Sequence, residues 1–384
     1  MDRSMEQPAS AAASTLPLDL VSEITARSDP VTLVRCAAAS SPPSSADGED
    51  PRFVDVGGAS PSPSPEPFRS FLSEYSDLFE FYQPAAAARG GLVALRSGTT
   101  GEAGVCNPMT GLLDLLVSPP PASGVTAQSS YVLLTDDCDR FRLLAADLIS
   151  GRGCCCLRTQ AFSSDADAWG GVTETPVPGL PPEAAFVRPC ALVLAGVAHW
   201  LCRSGQSYFI LAFSDARSTA KVTAIQLEEA GDDDHYCRRL CECKAEELLL
   251  VSSLVDGRAS LLVAEKRLEV SLWTPPDSAA AAADRWTRQV VIGSDEVRQA
   301  TTNALPGMAW SAKLELRWFG EKSGAVLARM AAGVRSGLSY YYLLEMGTGT
   351  RRIRKVCRLR DRDVHVFFPY EMDLSFWLPR INYS

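Results

Sequence analysis

The chain has 384 residues, 46% of them hydrophobic and 22% charged. That exceeds one ordinary domain and suffices for a large core or a repeat fold. Its 37 basic and 46 acidic residues leave a net charge of −9, which argues against a general nucleic-acid binder and against contact with an anionic membrane surface. Histidine occurs only at 199, 235 and 365, so histidine-based metal or acid/base chemistry has little to work with.

The start, MDRSMEQPASAAAST, has no apolar core of the secretory kind. The longest nearly apolar run, residues 191–202, spans about 12 residues, where a membrane helix needs roughly 18. A soluble chain of the cytoplasm or nucleus is expected. Its 12 cysteines then read as reduced thiols, mostly in apolar runs such as those at Cys190, Cys202 and Cys357.

In chain order, residues 1–14 read as a disordered tail. Residues 15–40 read as two short helices. Leu16, Leu20, Val21 and Ile24 form one apolar stripe, Pro30 opens the second helix, and Leu33 and Val34 continue it. Residues 41–67 form a linker with Pro61, Pro63, Pro65 and Pro67 and a short strand near 52–56. Phe71, Leu72, Tyr75, Leu78, Phe79 and Tyr82 have helical spacing.

Beyond Gly90 the pattern becomes short β-runs. Residues 313–319, KLELRWF, alternate, with Leu314, Leu316 and Trp318 on one face. Residues 268–273, LEVSLW, do the same. Trp200, Trp273 and Trp318 are expected to be buried. Four stretches repeat one strand–turn–strand plan: VCNPMTGLLDLL from Val105, LAADLISGRGCCCL from Leu144, LAFSDARSTAKVTAI from Leu211 and LLEMGTGTRRIRKV from Leu343. A fifth variant runs from Leu268 past Trp273 to Trp286. One unit parses whole, as strands at 191–195, 197–202, 207–213 and 221–227. First strands are expected near Leu92, Tyr131, Ala191, Leu248 and Lys313. Four short strands recurring at roughly 40-residue intervals or more are the signature of a β-propeller. The expected fold is therefore mainly β, a body of five or six four-stranded blades over residues 68–384. A two-sheet sandwich is the alternative.

Residues 16–40 resemble the F-box motif. Leu16, Pro17, Leu20, Ile24, Pro30, Leu33 and Cys36 match it in order and spacing. The motif's third helix is absent, and Ser41-Pro42-Pro43 stands there. The remainder is similar to the F-box-associated and kelch-like regions of plant F-box proteins, especially those of grasses. The carriers are GLVAL at Gly91, VCNPMTG at Val105, GVAHWL at Gly196, the LEVSLW…Trp pair and YEMDLSFWLP at Tyr370. The resemblance implies a non-enzymatic substrate receptor of a Skp/cullin/F-box-type ubiquitin ligase. Leu16, Pro17, Leu20, Val21, Ile24, Leu33 and Val34 would bind a Skp-type adaptor, weakened by the missing helix, and the β-body would bind a target protein. A stand-alone propeller scaffold or ligand binder is the alternative.

Other clusters read as structural. His235, Cys237, Cys241 and Cys243 form a single local group rather than the two ligand pairs of a structural zinc site. Cys154, Cys155 and Cys156 alternate across a strand. Asp232, Asp233 and Asp234 lack Ca²⁺-loop spacing. Arg351, Arg352, Arg354, Lys355, Arg358, Arg360 and Arg362 read as the polar face of a strand at 353–359. His199 beside Trp200 reads as a hydrogen-bonded strand residue, and His365 as facing solvent. No nucleophile elbow, phosphate loop or dinucleotide fingerprint appears. No catalytic residue, metal or cofactor is expected.

Overall fold

The computed structural model describes residues 33–40, 52–55, 82–97, 102–107, 112–116, 129–137, 140–150, 154–225, 243–253, 256–265, 268–276, 286–302, 313–331, 338–346, 352–360 and 365–372. Among them, no helix is long and apolar enough to cross a membrane.

Two strands come first, β1 (Leu33–Ser40) and β2 (Arg52–Asp55). Blade 1 follows, with β3 (Tyr82–Arg89), β4 (Leu92–Ser97), β5 (Ala103–Asn107) and β6 (Leu112–Leu116) paired in that order. Blade 2 contains β7 (Ser130–Asp137), β8 (Arg140–Ser150) and β9 (Cys155–Ser163), with β10 (Ala168–Trp169) and β11 (Thr173–Pro176) both on β9. Blade 3 contains β12 (Ala185–Phe186), β13 (Leu192–Leu194), β14 (Val197–Ser204), β15 (Ser207–Ser214) and β16 (Thr219–Ile225). Blade 4 runs β17 (Leu248–Ser252), β18 (Ala259–Ala264), β19 (Val270–Thr274) and β20 (Thr287–Ile292). After helix α1 (Ser294–Thr302), blade 5 runs β21 (Lys313–Phe319), β22 (Ala325–Ala331), β23 (Leu338–Glu345) and β24 (Arg352–Arg360). Last, β25 (His365–Met372) pairs antiparallel with β1, which also carries β2. The chain is thus a five-bladed β-propeller, with a three-stranded sheet built from the segments that flank the blades. That sheet lies beside the first blade, where β25 packs on β3.

The core sits between blades rather than within them. Each blade buries both faces, so neighbouring residues on one strand serve different cores. On β7, Tyr131 and Leu133 pack toward blade 1, and Val132 packs toward blade 3. On β15, Phe209, Leu211 and Phe213 meet blade 2, and Tyr208 and Ile210 meet blade 4. Val326, Ala328 and Met330 of β22 join the core with blade 4, whereas Ala325 and Leu327 face the other way. Burial on both faces explains runs such as SYFILAFS, which are apolar without alternation. The unit parsed from sequence at 191–227 is blade 3. The four repeated stretches are the hairpins β5–β6, β8–β9, β15–β16 and β23–β24.

Tryptophans fasten blades together. Trp200 is fully buried, and its Nε1–H donates to Ser130 Oγ at 2.8 Å. Ser130 in turn donates to the carbonyl of Pro189. This relay ties blade 2 to blade 3. Trp286, also buried, donates to the Ala224 carbonyl at 3.3 Å and ties blade 4 to blade 3. Trp273 is buried as expected, with its indole N–H unpartnered.

Three expectations need correction. Trp318 is only half-buried. A β-bulge between Leu316 and Trp318 shifts the register of β21 on β22. An extra residue in one strand reverses the facing of the residues after it, so Phe319 joins Leu314 and Leu316 while Trp318 packs on the opposite side. Leu92 opens the second strand of blade 1, not the first, because β3 precedes it. The third correction concerns Leu33 and Val34. Their segment forms β1 and not a helix, with every residue from Leu33↔Met372 to Ser40↔His365 in register. The physical reason is nonlocal: β25 has an edge to satisfy, and pairing outweighs a helix propensity that is always a weak prior.

The expected strand near 52–56 is β2. The tail at 1–14, the first F-box-like helix with Leu16, Pro17, Leu20, Val21 and Ile24, and the expected helix up to Tyr82 lie outside the described residues. Tyr82 itself opens β3.

Candidate functional site: the central cavity

Propeller blades place their first strands around a common axis. In this chain β3, β7, β13, β17 and β21 all contribute to one partly open central cavity of about 130 Å³. The walls carry residues 87–89, 131–133, 191–193, 248–250 and 317–319, one group from each blade. Most are apolar, as innermost strands packed on two neighbours must be. The polar exceptions are Arg89, Arg188, Cys190, Arg317 and Glu321.

Glu321 links three blades. Its Oε1 accepts the Val193 N–H at 2.7 Å, and its Oε2 lies 3.3 Å from Arg89 Nη1. Arg89 also donates to the Val193 carbonyl at 3.4 Å. One carboxylate therefore joins blade 5, blade 1 and blade 3 across the cavity.

Arg188 performs a second linkage. It sits between β12 and β13, where Pro189 keeps the backbone extended. Its Nε donates to the Ala245 carbonyl at 2.9 Å, ahead of blade 4. Its Nη1 reaches the Arg317 carbonyl of blade 5 at 3.5 Å, a long contact. Its Nη2 is shut away from solvent with no hydrogen-bond partner. The residue as a whole retains some exposure, so the burial is concentrated at the guanidinium. That burial pulls its pKa down from the usual arginine value, with Arg317 adding repulsion against the pull of Cys190, Glu246 and Glu315. Arg317 itself is salt-bridged to Glu315. The Cys190 thiol is pushed up by burial, partly offset by Arg188.

The structure places the remaining sequence candidates elsewhere. His199 Nδ1 lies 3.0 Å from the Val197 carbonyl, and burial lowers its pKa. Cys106 and Cys202 are buried with thiols pushed up to about 12, and Cys155 to about 11. Such thiols act as small hydrophobes. Cys154 is exposed, Cys155 buried and Cys156 between, the alternation expected of a strand. Cys243 is buried, with its carbonyl accepting the Tyr208 hydroxyl at 3.4 Å. His235, Cys237, Cys241 and the Asp232–Asp234 run lie outside the described residues, as do Arg351 and Arg362. Arg352, Arg354 and Lys355 lie on β24, with Arg354 3.3 Å from Glu345. Sequence reasoning missed Arg89, Arg188 and Glu321. Their one signal is a charge set beside an apolar β-run, as in VRPCALVL.

Among curated proteins none matches this chain. Solved structures give distant likenesses. The β-propeller domain of Nup133 from Vanderwaltozyma polyspora is 10% identical, with 70% of this chain and 67% of that one covered and a TM-score of 0.34. The β-propeller domain of Cps50 (Swd1) from Myceliophteria thermophila is 12% identical, with 71% and 73% covered and a TM-score of 0.33. The WD40 domain of SCAP from fission yeast is 9% identical, with 71% and 72% covered and a TM-score of 0.28. Residues 50–375 match the family described as "Domain of unknown function (DUF7595)". That span takes in all five blades and the last strand, β25, so the chain belongs to the DUF7595 family.

Proposed function

We propose that this chain is a non-enzymatic recognition protein that binds a partner protein through its propeller. The supporting observation is the ring of five separate sheets, whose cores lie between blades. Such a ring leaves the inter-strand loops free to vary on a rigid frame, which suits them to gripping another protein. The work is done inside the cell, in the cytoplasm or the nucleus. The test is affinity purification of the full chain from its native cells, read by quantitative mass spectrometry. The expected result is one partner at near-stoichiometric amount. Absence of any stoichiometric partner would sink this reading.

A finer reading makes the chain the substrate receptor of a Skp/cullin/F-box-type ubiquitin ligase. It is favoured by the match of Leu16, Pro17, Leu20, Ile24, Pro30, Leu33 and Cys36 to the F-box. An apolar stripe in so short a segment needs something to dock on. Weighing against it, Leu33 and Val34 are committed to β1, so the adaptor would meet the first helix alone. Co-purification with a Skp-type adaptor decides the matter. Leu20→Asp with Ile24→Asp should abolish adaptor binding and leave the β-body folded. No adaptor binding by the wild type at micromolar concentration would leave the stand-alone propeller as the account.

A further inference from the structure

We propose that the central cavity binds a carboxylate carried on a short apolar body, with the Arg188 guanidinium as its anchor. The inference deepens the recognition reading above, and rests on it, by naming the chemistry the propeller grips.

The charges around the cavity leave Arg188 over. Arg89 is matched by Glu321 and Arg317 by Glu315. Among the described residues no carboxylate comes within ion-pair distance of Arg188. A guanidinium offers five N–H donors in a planar fork. Two of the three nitrogens of Arg188 are spent on backbone carbonyls, and Nη2 is closed to water and unfilled. An unpaired buried donor on a charged group is costly to keep. A carboxylate in the cavity would give this guanidinium the counter-charge it lacks, and a charge-assisted bond to a guanidinium is among the stronger kinds.

Size and polarity restrict the occupant. Leu133, Val193, Leu201 and Leu249 wall the cavity and are buried. Its volume, about 130 Å³, is close to the roughly 150 Å³ apolar cavity that accepts a benzene. The occupant therefore has on the order of six heavy atoms inside the cavity, and one polar end. With Arg89 and Arg317 already paired to carboxylates, the one guanidinium left over suits a singly charged planar carboxylate. A phosphate would leave oxygens without donors and a second charge without a partner. The carboxylate has two sources, a free short-chain acid or the terminal carboxylate of a peptide.

The full chain is titrated calorimetrically with butyrate, with neutral butyramide and with inorganic phosphate. A hexapeptide ending in valine is compared with its free and its amidated end. Butyrate should bind at least about tenfold tighter than butyramide, the worth of one charged hydrogen bond. Arg188→Gln should abolish that preference, and Arg188→Lys should reduce it. Arg140→Gln, on an exposed arginine outside the cavity, should leave it intact. Preference for the free-ended peptide assigns the carboxylate to a peptide, and butyrate binding without it assigns the carboxylate to a free acid. Equal binding of butyrate and butyramide, tighter binding of phosphate than butyrate, or a folded Arg188→Gln chain that keeps the preference overturns the proposal. If Arg188→Gln fails to fold, the butyrate and butyramide comparison on the wild type decides alone. Partner capture without carboxylate preference overturns this inference and leaves the recognition reading standing. Carboxylate preference without a protein partner does the reverse.

Discussion

Arg89 and Glu321 meet at 3.3 Å across the central cavity, one from the first strand of blade 1 and the other from just beyond the first strand of blade 5. Their side chains are 27% and 23% exposed, so solvent screens the pair in part. The same carboxylate holds the Val193 N–H. Glu321→Ala strips both partners and should destabilise by about 2 kcal/mol. Glu321→Gln keeps an acceptor for Val193 and should lose about half as much, on the order of 1 kcal/mol. Urea denaturation of both variants checks the order, and equal losses would mean that the charge contributes nothing.

The tryptophans should differ in weight. Trp200→Ala removes a fully buried ring and should lose about 3–5 kcal/mol. Trp200→Phe deletes the bond to Ser130 with a smaller change in volume. Trp318→Ala should lose less than about 2 kcal/mol, since the bulge leaves that ring half-buried. Thermal melts of the three variants test the ranking. A Trp318→Ala loss matching that of Trp200→Ala would contradict the bulge.

Ala195 stands at φ +48°, followed by Gly196 at +75°, in the two-residue turn between β13 and β14. Two successive positive φ values mark a type I′ turn, which favours Asn-Gly or Gly-Gly. A left-handed alanine carries about 1–2 kcal/mol of strain. Ala195→Gly should therefore stabilise the chain, by up to about 1 kcal/mol after the entropy of the added glycine. A lower melting temperature would count against the turn as described.

Asp147 should make stability depend on pH. Burial holds its carboxyl above the ordinary range, against the Ser129 hydroxyl, which donates to Oδ2 at 2.9 Å, and against Arg158 and Arg96. The folded state thus keeps a proton that the unfolded chain releases near pH 4. Stability from this group is fullest below that point and falls as pH rises through the folded value. Asp147→Asn should gain on the wild type over that window. Parallel stability–pH profiles for the two proteins from about pH 3.5 upward would refute the sign.

The strands were legible where local pattern and environment agree. KLELRWF reads as a strand and is one, Lys313–Phe319. The facing of Trp318 was not legible, because a bulge depends on the partner strand. Four of the five expected first-strand starts lie in or next to first or innermost strands, Tyr131, Leu248 and Lys313 within them and Ala191 one residue ahead of β13. Leu92 misled because the alanine-rich β3 ahead of it lacks a strand-like composition. Ala37–Ala39 of β1 has the same weakness, and only the distant residues of β25 make it a strand. The cavity was the least legible part. Arg89, Arg188 and Glu321 are far apart in sequence, and nothing in local spacing says that five blades bring them to one axis.

The pairing of Leu33 with Met372 has a kinetic meaning. The three-stranded sheet beside blade 1 cannot be completed while the blades are still being made, because β25 is synthesised after all five. Until then β1 presents a bare edge, open to pairing with another chain. The entropy of joining such distant strands grows only with the logarithm of the loop, about 0.6 kcal/mol per doubling, and the five blades shrink that loop as they form. Each blade is a set of local hairpins that can form in order of synthesis. Pairing of β1 with β25 then becomes a late, separate step, and the newly made chain is most prone to pair β1 with a neighbour just before it.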